Sequence, residues 1–321
     1  MRADKSLNSA LCAQPSALSM WQPRFACPEC GAALEDECES DRRSCPYCAR
    51  TYERRDGVWR FLTPGRAARL EPFLQQYRAV RDRDGHRRHM PAEHYRTLPS
   101  VPRSDPQAAE WLMRRETYHH LLQCVLASSS QPMHVLDVGA GTGWLSHRLS
   151  ALAQRVVAVD ALDDEKDGLG AWRHYGVSFA VVQADFDALP FAPKQFDLVV
   201  FNGSLHYAPD AAATLARARR MLAPRGALVV MDSPMFRHDR DGAAMLDEKH
   251  RLFRHELDIA DVVRPGVGYL TFARLGAIAE SLELRARFVP TRGPLPWRLR
   301  RQLTRVRLRR APAAFGLWMA R

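Results

Sequence analysis

The residues most suited to chemistry lie in a glycine-rich stretch, D-V-G-A-G-T-G, at positions 137–143. Gly139, Gly141 and Gly143 leave backbone N–H groups open to close approach by a ligand. The third glycine comes one residue earlier than in the G-x-G-x-x-G fingerprint of dinucleotide sites. Asp137 precedes the first glycine by two residues, where its charge would repel a pyrophosphate and attract a cationic amino group. The stretch therefore predicts a site for a ligand that carries such a group.

A second candidate ligand residue is Asp160, which ends the apolar run R-V-V-A-V-D at 155–160. It follows Gly139 by 21 positions (160 − 139), close to the ~20 at which an acid at a strand end contacts ribose hydroxyls. Asp160 is therefore predicted to bind a ribose. The acidic segment that follows contains Asp163 and Asp164, which either contact the ligand or, as we expect, lie in a solvated loop. No G-x-x-x-x-G-K-[ST] motif occurs, and this excludes a P-loop.

Four cysteines form two C-x₂-C pairs, Cys27 with Cys30 and Cys45 with Cys48, separated by 14 residues. Two such pairs present four thiolates to one point and predict a tetrahedral Zn²⁺ site. Since four thiolates leave no coordination position open, the zinc would be structural and would supply folding energy of order ~10 kcal/mol. Cys38 lies between the pairs and is not expected to bind it. Metal ligation rather than disulfide pairing indicates a reducing compartment, so we expect a cytoplasmic protein.

These residues need elements that bring them together. Apolar runs predict buried strands at 135–138, 155–160, 179–183 and 227–231, and a further strand that begins at Phe196. Helical patterns between them complete five βα-like units, which predict an α/β fold with an open, mostly parallel sheet. In such sheets the ligand lies outside the carboxyl ends of the strands, and the candidate ligand residues fall at those ends.

Four segments resemble motifs of the class I S-adenosylmethionine (SAM)-dependent methyltransferases, in the broad type 11 group that includes quinone-biosynthesis enzymes. They are the glycine stretch, D-x-x-x-L-P-F at 185–191, F-D-x-V-x-x-x-x-x-L-H at 196–206 and R-x-L-x-P-x-G-x-L-x-x-x-D at 220–232. The resemblance covers about residues 107–290. It implies a Rossmann-like, seven-stranded, mostly parallel sheet that ends in a reversed edge hairpin.

The resemblance implies SAM as the cofactor and assigns further residues. Asp185 would accept a hydrogen bond from the adenine amino group, Phe186 would pack on the ring, and Asn202 would belong to the cofactor site. His206 and Tyr207, after the fourth strand of the domain, are our candidates for contact with the methyl acceptor, and a core or structural role is the alternative for His206. The N-P-P-[YF] signature of exocyclic-amine methylases is absent, which argues against adenine-N6 or glutamine-N5 chemistry. The absence of a cysteine nucleophile in this motif disfavours cytosine-C5 chemistry.

Residues 25–62 resemble the small zinc ribbon of methyltransferase-activator proteins, including its Y-x-x-x-D-G-hydrophobic ending, which starts at Tyr52. Similar ribbons precede the methyltransferase domain in bacterial rRNA guanine-N1 methyltransferases. Residues 1–24 lack the continuous apolar core of a secretory signal and are predicted to be a disordered leader.

The remaining chain divides into a linker or cap segment at 63–106 and a methyltransferase domain at 107–321. The cap is predicted to contain one helix, and in the family such segments fold over the catalytic domain. An insertion at 234–269 is predicted to form a lid over the methyl acceptor. Three side chains of the cap are candidates for the acceptor pocket: Tyr77, His94 and Tyr95.

The chain has a formal net charge of +11, with eight arginines and no acid between positions 292 and 311. Within 295–310, four apolar residues share one face of a predicted helix: Leu295, Leu299, Leu303 and Val306. A basic amphipathic helix of this kind binds anionic membranes or phosphate backbones, or docks on its own domain. Peripheral membrane contact and RNA are therefore both candidate partners. Every apolar run is far shorter than the ~20 residues of a membrane span.

Three functions stay open. The first is SAM-dependent methyl transfer to an oxygen or carbon of a small molecule, such as a lipophilic or phenolic one. The second is methylation of a base in rRNA or tRNA, with the ribbon and the arginine-rich helix on the RNA. The third is a non-catalytic SAM-binding protein that docks a partner through the ribbon. Having Asp137, Asp160 and Asp185 together favours catalysis, and the methyl acceptor and the oligomeric state are left open.

Overall fold

The computed structural model describes residues 21–36, 41–176, 179–257, 259 and 262–321. Most of the predicted leader, residues 1–20, lies outside this range, and so does Cys38. Among the described helices, none is long and apolar enough to cross a membrane.

The described strands and helices follow the predicted alternation along the chain. The strands are β1 (Glu35–Asp36), β2 (Arg42–Ser44), β3 (Thr51–Arg55), β4 (Val58–Arg60), β5 (His134–Val138), β6 (Arg155–Asp160), β7 (Ala180–Gln183), β8 (Phe196–Asn202), β9 (Leu222–Met231), β10 (Met235–Phe236), β11 (Leu270–Thr271), β12 (Ala286–Pro290) and β13 (Gly316–Ala320). The α-helices are α1 (Pro64–Arg83), α2 (Ala92–Thr97), α3 (Ala108–Cys124), α4 (Trp144–Ala151), α5 (Ala211–Met221), α6 (Asp239–Leu257), α7 (Phe272–Ser281) and α8 (Leu295–Leu308).

The predicted sheet is present, and it is longer than predicted. Its order is β1-β2-β3-β4-β7-β6-β5-β8-β9-β13-β12. The seven strands from β7 to β12 match the expected sheet, with β5 to β9 parallel and β13 antiparallel to both of its neighbours. The prediction of a mostly parallel α/β sheet with a reversed edge hairpin is confirmed. The count differs because the four strands of the ribbon region join the same sheet.

The join between the ribbon and the larger domain is a parallel pairing of β4 with β7, in which Trp59 lies opposite Val182. An unpaired β7 would expose a row of backbone hydrogen-bonding groups, and β4 covers them. Aromatic rings close the seam, with Phe25 centred 4.8 Å from Phe61 and 5.8 Å from Phe191. The ribbon and the sheet therefore share one core, although the predicted domain boundaries stay a prediction.

The core lies on both faces of the parallel strands. Val135, Leu136 and Val138 of β5 are all fully buried, as are Val157 and Val159 of β6. Leu136 and Val138 pack on the face that carries the ribbon aromatics, and Val135 packs on the face covered by α3 and α4. Burial on both faces explains why these strands read as continuous apolar runs rather than as alternating ones.

Three further segments differ in detail from their predictions. The cap contains two helices, α1 and α2, because Gly85 adopts a left-handed φ of 74° just after α1 and the chain turns there. The insertion at 234–269 contains α6, and β10 and β11 at its margins pair in parallel. The arginine-rich segment forms α8, between the paired edge strands β12 and β13.

Candidate active site

The glycine turn connects β5 to α4 with all three glycines in the left-handed region. The φ angles are 73° at Gly139, 54° at Gly141 and 75° at Gly143, a conformation that strains residues with a Cβ. A Cβ at Gly139 would lie only 2.3 Å from the Cβ of Ser204. At Gly141 nothing lies within 4 Å of the place that a Cβ would take. The turn is therefore packed at one glycine and open to a ligand at the next.

Asp137 lies in β5 directly before the turn and is fully buried. One carboxylate oxygen accepts a hydrogen bond of 2.8 Å from the hydroxyl of Ser146 in α4. The other oxygen is buried and has no hydrogen-bond partner in the described part of the chain. Burial raises the pKa of Asp137 to about 7. The carboxylate exposes no surface to a ligand in this conformation, so its contact with a ligand amino group stays a prediction.

Asp160 ends β6 and ties two strand ends together. Its Oδ2 accepts a 2.8 Å hydrogen bond from the N–H of Gly141, and its Oδ1 accepts one of 2.9 Å from the N–H of Leu162. Burial is the largest cause of the raised pKa of Asp160, although part of its surface stays accessible. Each oxygen keeps a second lone pair, so the carboxylate can hold the turn and still accept ribose hydroxyls.

Asp185 and Phe186 lie at the next strand end, beyond β7. Asp185 Oδ1 accepts a 3.1 Å hydrogen bond from the N–H of Asp187, and Oδ2 pairs at 3.1 Å with the guanidinium of Arg66. The Phe186 ring lies 3.0 Å from the place of a Cβ on Gly139, so it borders the glycine turn. The structure therefore brings both residues to the predicted site. It also adds an arginine that the motif does not reveal.

Asn202, His206 and Tyr207 follow at the end of β8. Asn202 pairs with Met231 of β9, and the His206 ring contacts the Ser233 hydroxyl, with Nδ1 and Oγ 3.2 Å apart. Burial, followed by the charge of Lys249, lowers the pKa of His206 to about 3. The imidazole is therefore neutral at physiological pH and can accept a hydrogen bond, but it is a weak base.

Residues 136–230, which contain the glycine turn and its strand-end acids, match the family described as a methyltransferase domain. Over these residues the chain is therefore similar to methyltransferases. It is 34% identical over 119 residues to the malonyl-[acyl-carrier protein] O-methyltransferase of Hahella chejuensis, a match that covers 36% of this chain and 42% of the relative. It is 32% identical over 120 residues to the ubiquinone/menaquinone biosynthesis C-methyltransferase UbiE of Shewanella frigidimarina, covering 36% and 48%. The chain therefore spans less than half the length of each of these curated relatives.

Among solved structures, the chain resembles magnesium protoporphyrin IX methyltransferase from Synechocystis PCC 6803 with bound SAH. The TM-score is 0.47 at 17% identity, over 71% of this chain and 92% of that one.

Four arginines of the ribbon and cap segments pair with aspartates in the loops after β6 and β7, and the sequence did not predict these pairs. We call these four residues the cap arginines, and each pairs with an aspartate beyond β6 or β7: Arg60 with Asp163, Arg66 with Asp185, Arg81 with Asp167 and Arg87 with Asp164. Asp163 and Asp164 do lie in the loop after β6, where Asp163 stays exposed as a residue, but both carboxylates are paired with arginines. The opposite charges of the two segments were the only available signal, because the partners are far apart along the chain.

Arg81 makes the most buried of these pairs. Its Nε and Nη2 contact the two carboxylate oxygens of Asp167, the first at 2.6 Å. The Asp167 side chain is only 4% exposed and that of Arg81 is 20% exposed. A bidentate pair at such burial fixes the end of α1 against the loop that follows β6.

Aromatic side chains of α1 meet the end of β8 in what we call the aromatic cluster: Phe73, Tyr77, His206 and Tyr207. The ring centroid of Tyr207 lies 4.1 Å from that of His206, 5.6 Å from that of Phe73 and 5.8 Å from that of Tyr77. Burial raises the pKa of both tyrosines, so they are neutral hydroxyls at physiological pH. Of the three candidate residues in the cap, Tyr77 is the one that contacts Tyr207.

His94 and Tyr95 lie elsewhere. The Tyr95 hydroxyl donates a 3.1 Å hydrogen bond to the carbonyl of Lys166, and its ring stacks on His174 at 4.4 Å. His94 packs edge-on against Tyr95. These contacts hold α2 on the segment after β6, which indicates a packing role.

The four predicted zinc ligands come together in the ribbon. Their sulfur atoms all lie within 4.8 Å of one another, with Cys27 3.6 Å from Cys48 and Cys30 3.5 Å from Cys45. A tetrahedral zinc with Zn–S bonds of ~2.3 Å needs sulfur atoms about 3.8 Å apart, so the cluster is compatible with Zn²⁺. The Tyr52 hydroxyl lies 3.3 Å from the Cys27 sulfur, where it can orient that ligand.

Proposed function

We propose that the chain transfers the methyl group of SAM to an oxygen or carbon atom of a small molecule. One observation carries this proposal. The glycine turn, Asp160, Asp185 and the aromatic cluster converge at the carboxyl ends of neighbouring parallel strands, where α/β sheets bind their ligands. Asp160 and Asp185 offer acceptors for a ribose and an adenine amino group, and the turn leaves open space at Gly141.

SAM would supply a methyl group that its sulfonium already activates. The chain must then hold the methyl acceptor in line with the S–CH₃ bond and exclude water. In this proposal Phe73 and Tyr77 cover the acceptor, whose reacting oxygen or carbon has already lost its proton to solvent, while the neutral ring of His206 accepts a hydrogen bond from a hydroxyl of the acceptor that does not react. Lys249 lies near enough for its charge to lower the pKa of His206. Such a cation favours an acceptor that reacts as an oxyanion.

Covering by α1 supports a small acceptor. The aromatic cluster packs a helix of the cap directly over Tyr207, and a base within folded RNA would need that helix to move aside. The relatives named above include an O-methyltransferase and a C-methyltransferase, which fits an oxygen or carbon acceptor. The zinc in this proposal is structural, because all four ligands are cysteines and none leaves a position for substrate.

Titration calorimetry with SAM and with its demethylated product tests cofactor binding. We expect heat from both, and at least about a tenfold weaker affinity in Asp160→Asn, since one charge-assisted hydrogen bond contributes roughly 1.5–3 kcal/mol. Glu165→Gln, an exposed change in the loop after β6, is the matched control. Zinc content should stay near one per chain in all three proteins. Absence of heat with the unaltered chain would overturn the proposal.

Incubation with methyl-labelled SAM and cell extract then identifies the acceptor class. Label in the organic phase supports the proposal, and label in RNA supports the second candidate, an rRNA or tRNA base methyltransferase. The observation that favours RNA is a groove of about 820 Å³ between the ribbon and the start of α1, lined in part by Arg50, Arg55 and Arg60. RNA binding through such arginines should weaken steeply with salt, with log K falling linearly in log[salt].

A further inference from the structure

Helix α8 lies between two paired strands and takes no part in the sheet. Its flanking strands β12 and β13 are hydrogen-bonded neighbours, and Pro290 at the end of β12 lies opposite Gly316 at the start of β13. A short turn would close this hairpin, yet residues 291–315 leave the sheet and return. Pairing of β12 with β13 therefore does not require the helix.

Both ends of the excursion are held on the body of the protein. Before α8, the N–H groups of Arg292 and Gly293 each donate a 2.9 Å hydrogen bond to the carboxylate of Glu116 in α3. After it, Arg310 makes a bidentate pair with Glu248 of α6, at 2.8 and 2.6 Å. The helix is thus presented in a defined place rather than as a loose tail.

The apolar side of α8 points outward. The exposed fractions of its four stripe residues are high: 62% at Leu295, 57% at Leu299, 71% at Leu303 and 80% at Val306. Their spacing of four, four and three residues puts them on one side of the helix. A row of large apolar side chains exposed in this way is unusual in a soluble domain. Such a row indicates a surface that binds another protein or a membrane.

The charge around the apolar stripe of α8 indicates which kind of partner binds it. No Asp or Glu occurs from residue 284 to the end of the chain, whereas this segment has eleven arginines. Arg298, Arg305 and Arg307 are exposed on α8, and so is Arg309 directly after it. The exposed surface of α8 is therefore complementary to a partner that is both apolar and anionic.

We propose that α8 docks the chain on an anionic membrane surface. The stripe would enter the boundary between headgroups and acyl chains, and the arginines would contact lipid phosphates. RNA matches the charge but would leave the apolar row in water. A second copy of the chain, paired about a two-fold axis, would cover the apolar row but bring arginines against arginines. A bilayer satisfies both properties of the surface.

Co-sedimentation with vesicles tests this proposal on the full chain. We expect binding to phosphatidylglycerol/phosphatidylcholine vesicles and at least about tenfold weaker binding to phosphatidylcholine alone, since each arginine near an anionic surface adds about fivefold. The double variant Leu299→Glu/Leu303→Glu should lose at least about tenfold, because charged groups replace the buried row. Leu152→Glu, at a 47% exposed leucine just after α4, is the matched control and should bind like the unaltered chain.

A second variant separates charge from apolar burial. Arg305→Gln/Arg307→Gln should weaken vesicle binding by an order of magnitude and flatten its salt dependence. Far-UV circular dichroism and thermal unfolding establish that each variant is folded. Equal binding to both vesicle types, or no loss in the Leu299→Glu/Leu303→Glu variant, would overturn the proposal. Binding to tRNA without binding to vesicles would also overturn it. A dimer seen in sedimentation velocity that becomes a monomer in the Leu299→Glu/Leu303→Glu variant would do the same.

Discussion

Two arginine-rich regions of this protein have opposite surroundings. The cap arginines each meet an aspartate, and their side chains are only 13–24% exposed. The arginines between positions 298 and 309, on and directly after α8, have no acid near them in sequence, and those at 298, 305, 307 and 309 are exposed. Composition alone does not separate the two regions. The comparison shows that the location of the opposite charges decides whether an arginine serves the fold or an outside partner.

The energies of the two regions should differ accordingly. Removing one member of a buried pair leaves the other charge desolvated and unpaired, which costs about 3–5 kcal/mol. An exposed arginine contributes little to stability because water and salt screen its charge. Three experiments extend or test this contrast.

The largest effect is expected at Asp137, a buried acid that pairs with a serine and with no arginine in the described part of the chain. Folding raises the pKa of Asp137 to about 7 from an ordinary value of 3.8, so the folded chain holds this proton more tightly. Its stabilising effect is complete below pH 3.8 and is lost as pH rises through 7, a difference of up to about 4 kcal/mol. Asp137→Asn should remove this dependence. Urea unfolding between pH 5 and 8 measures the part of this loss that falls in that range, about 2.7 kcal/mol over the two pH units below 7, with the exposed Asp56→Asn as the control.

Asp232 acts in the same direction, because burial raises its pKa to about 6. The test is therefore the difference between Asp137→Asn and the unaltered chain at each pH rather than the absolute slope. Parallel curves for the two proteins would contradict the assignment of the proton to Asp137.

A smaller but still large effect is expected at the most buried cap arginine. Arg81→Gln should lower the free energy of unfolding by about 3 kcal/mol, because it leaves the buried carboxylate of Asp167 without its ion-pair partner. Arg305→Gln on α8 makes the same chemical change at an exposed position and should stay within about 0.5 kcal/mol. Denaturant titration of both variants measures the contrast. Equal losses would show that the two regions do not differ as their burial indicates.

The smallest effect is expected where a cap arginine meets the proposed cofactor site. Arg66 occupies one oxygen of Asp185 at 3.1 Å, and an adenine amino group would need to share that carboxylate. Arg66→Gln should therefore tighten SAM binding a few-fold, about 1 kcal/mol or less. Arg69→Gln, an exposed change on the same helix, should leave the affinity unchanged in calorimetry. Weaker binding in Arg66→Gln would mean that Arg66 itself holds the cofactor.

Much of the site could be predicted because its signals are local. The glycine turn needs left-handed φ angles at Gly139, Gly141 and Gly143, and only glycine adopts these without strain. The two C-x₂-C pairs likewise carry their geometry within a few residues. The strands β5 and β6 beside the glycine turn are buried on both faces, and their sequences are continuous apolar runs. The roles of Asp137, Asp160 and Asp185 toward SAM stay predictions.

The sequence by itself determined the order of strands and helices, the turn at the ligand end of the sheet and the four thiolates of the ribbon. Only the tertiary structure decided that β4 extends the sheet through β7 and that Arg81 reaches Asp167, 86 residues away. It also decided that the apolar row of α8 faces outward. The physical reason is that local backbone geometry is encoded by neighbouring residues. The partner of a strand edge, a charge or an apolar face is set by which distant surfaces pack together.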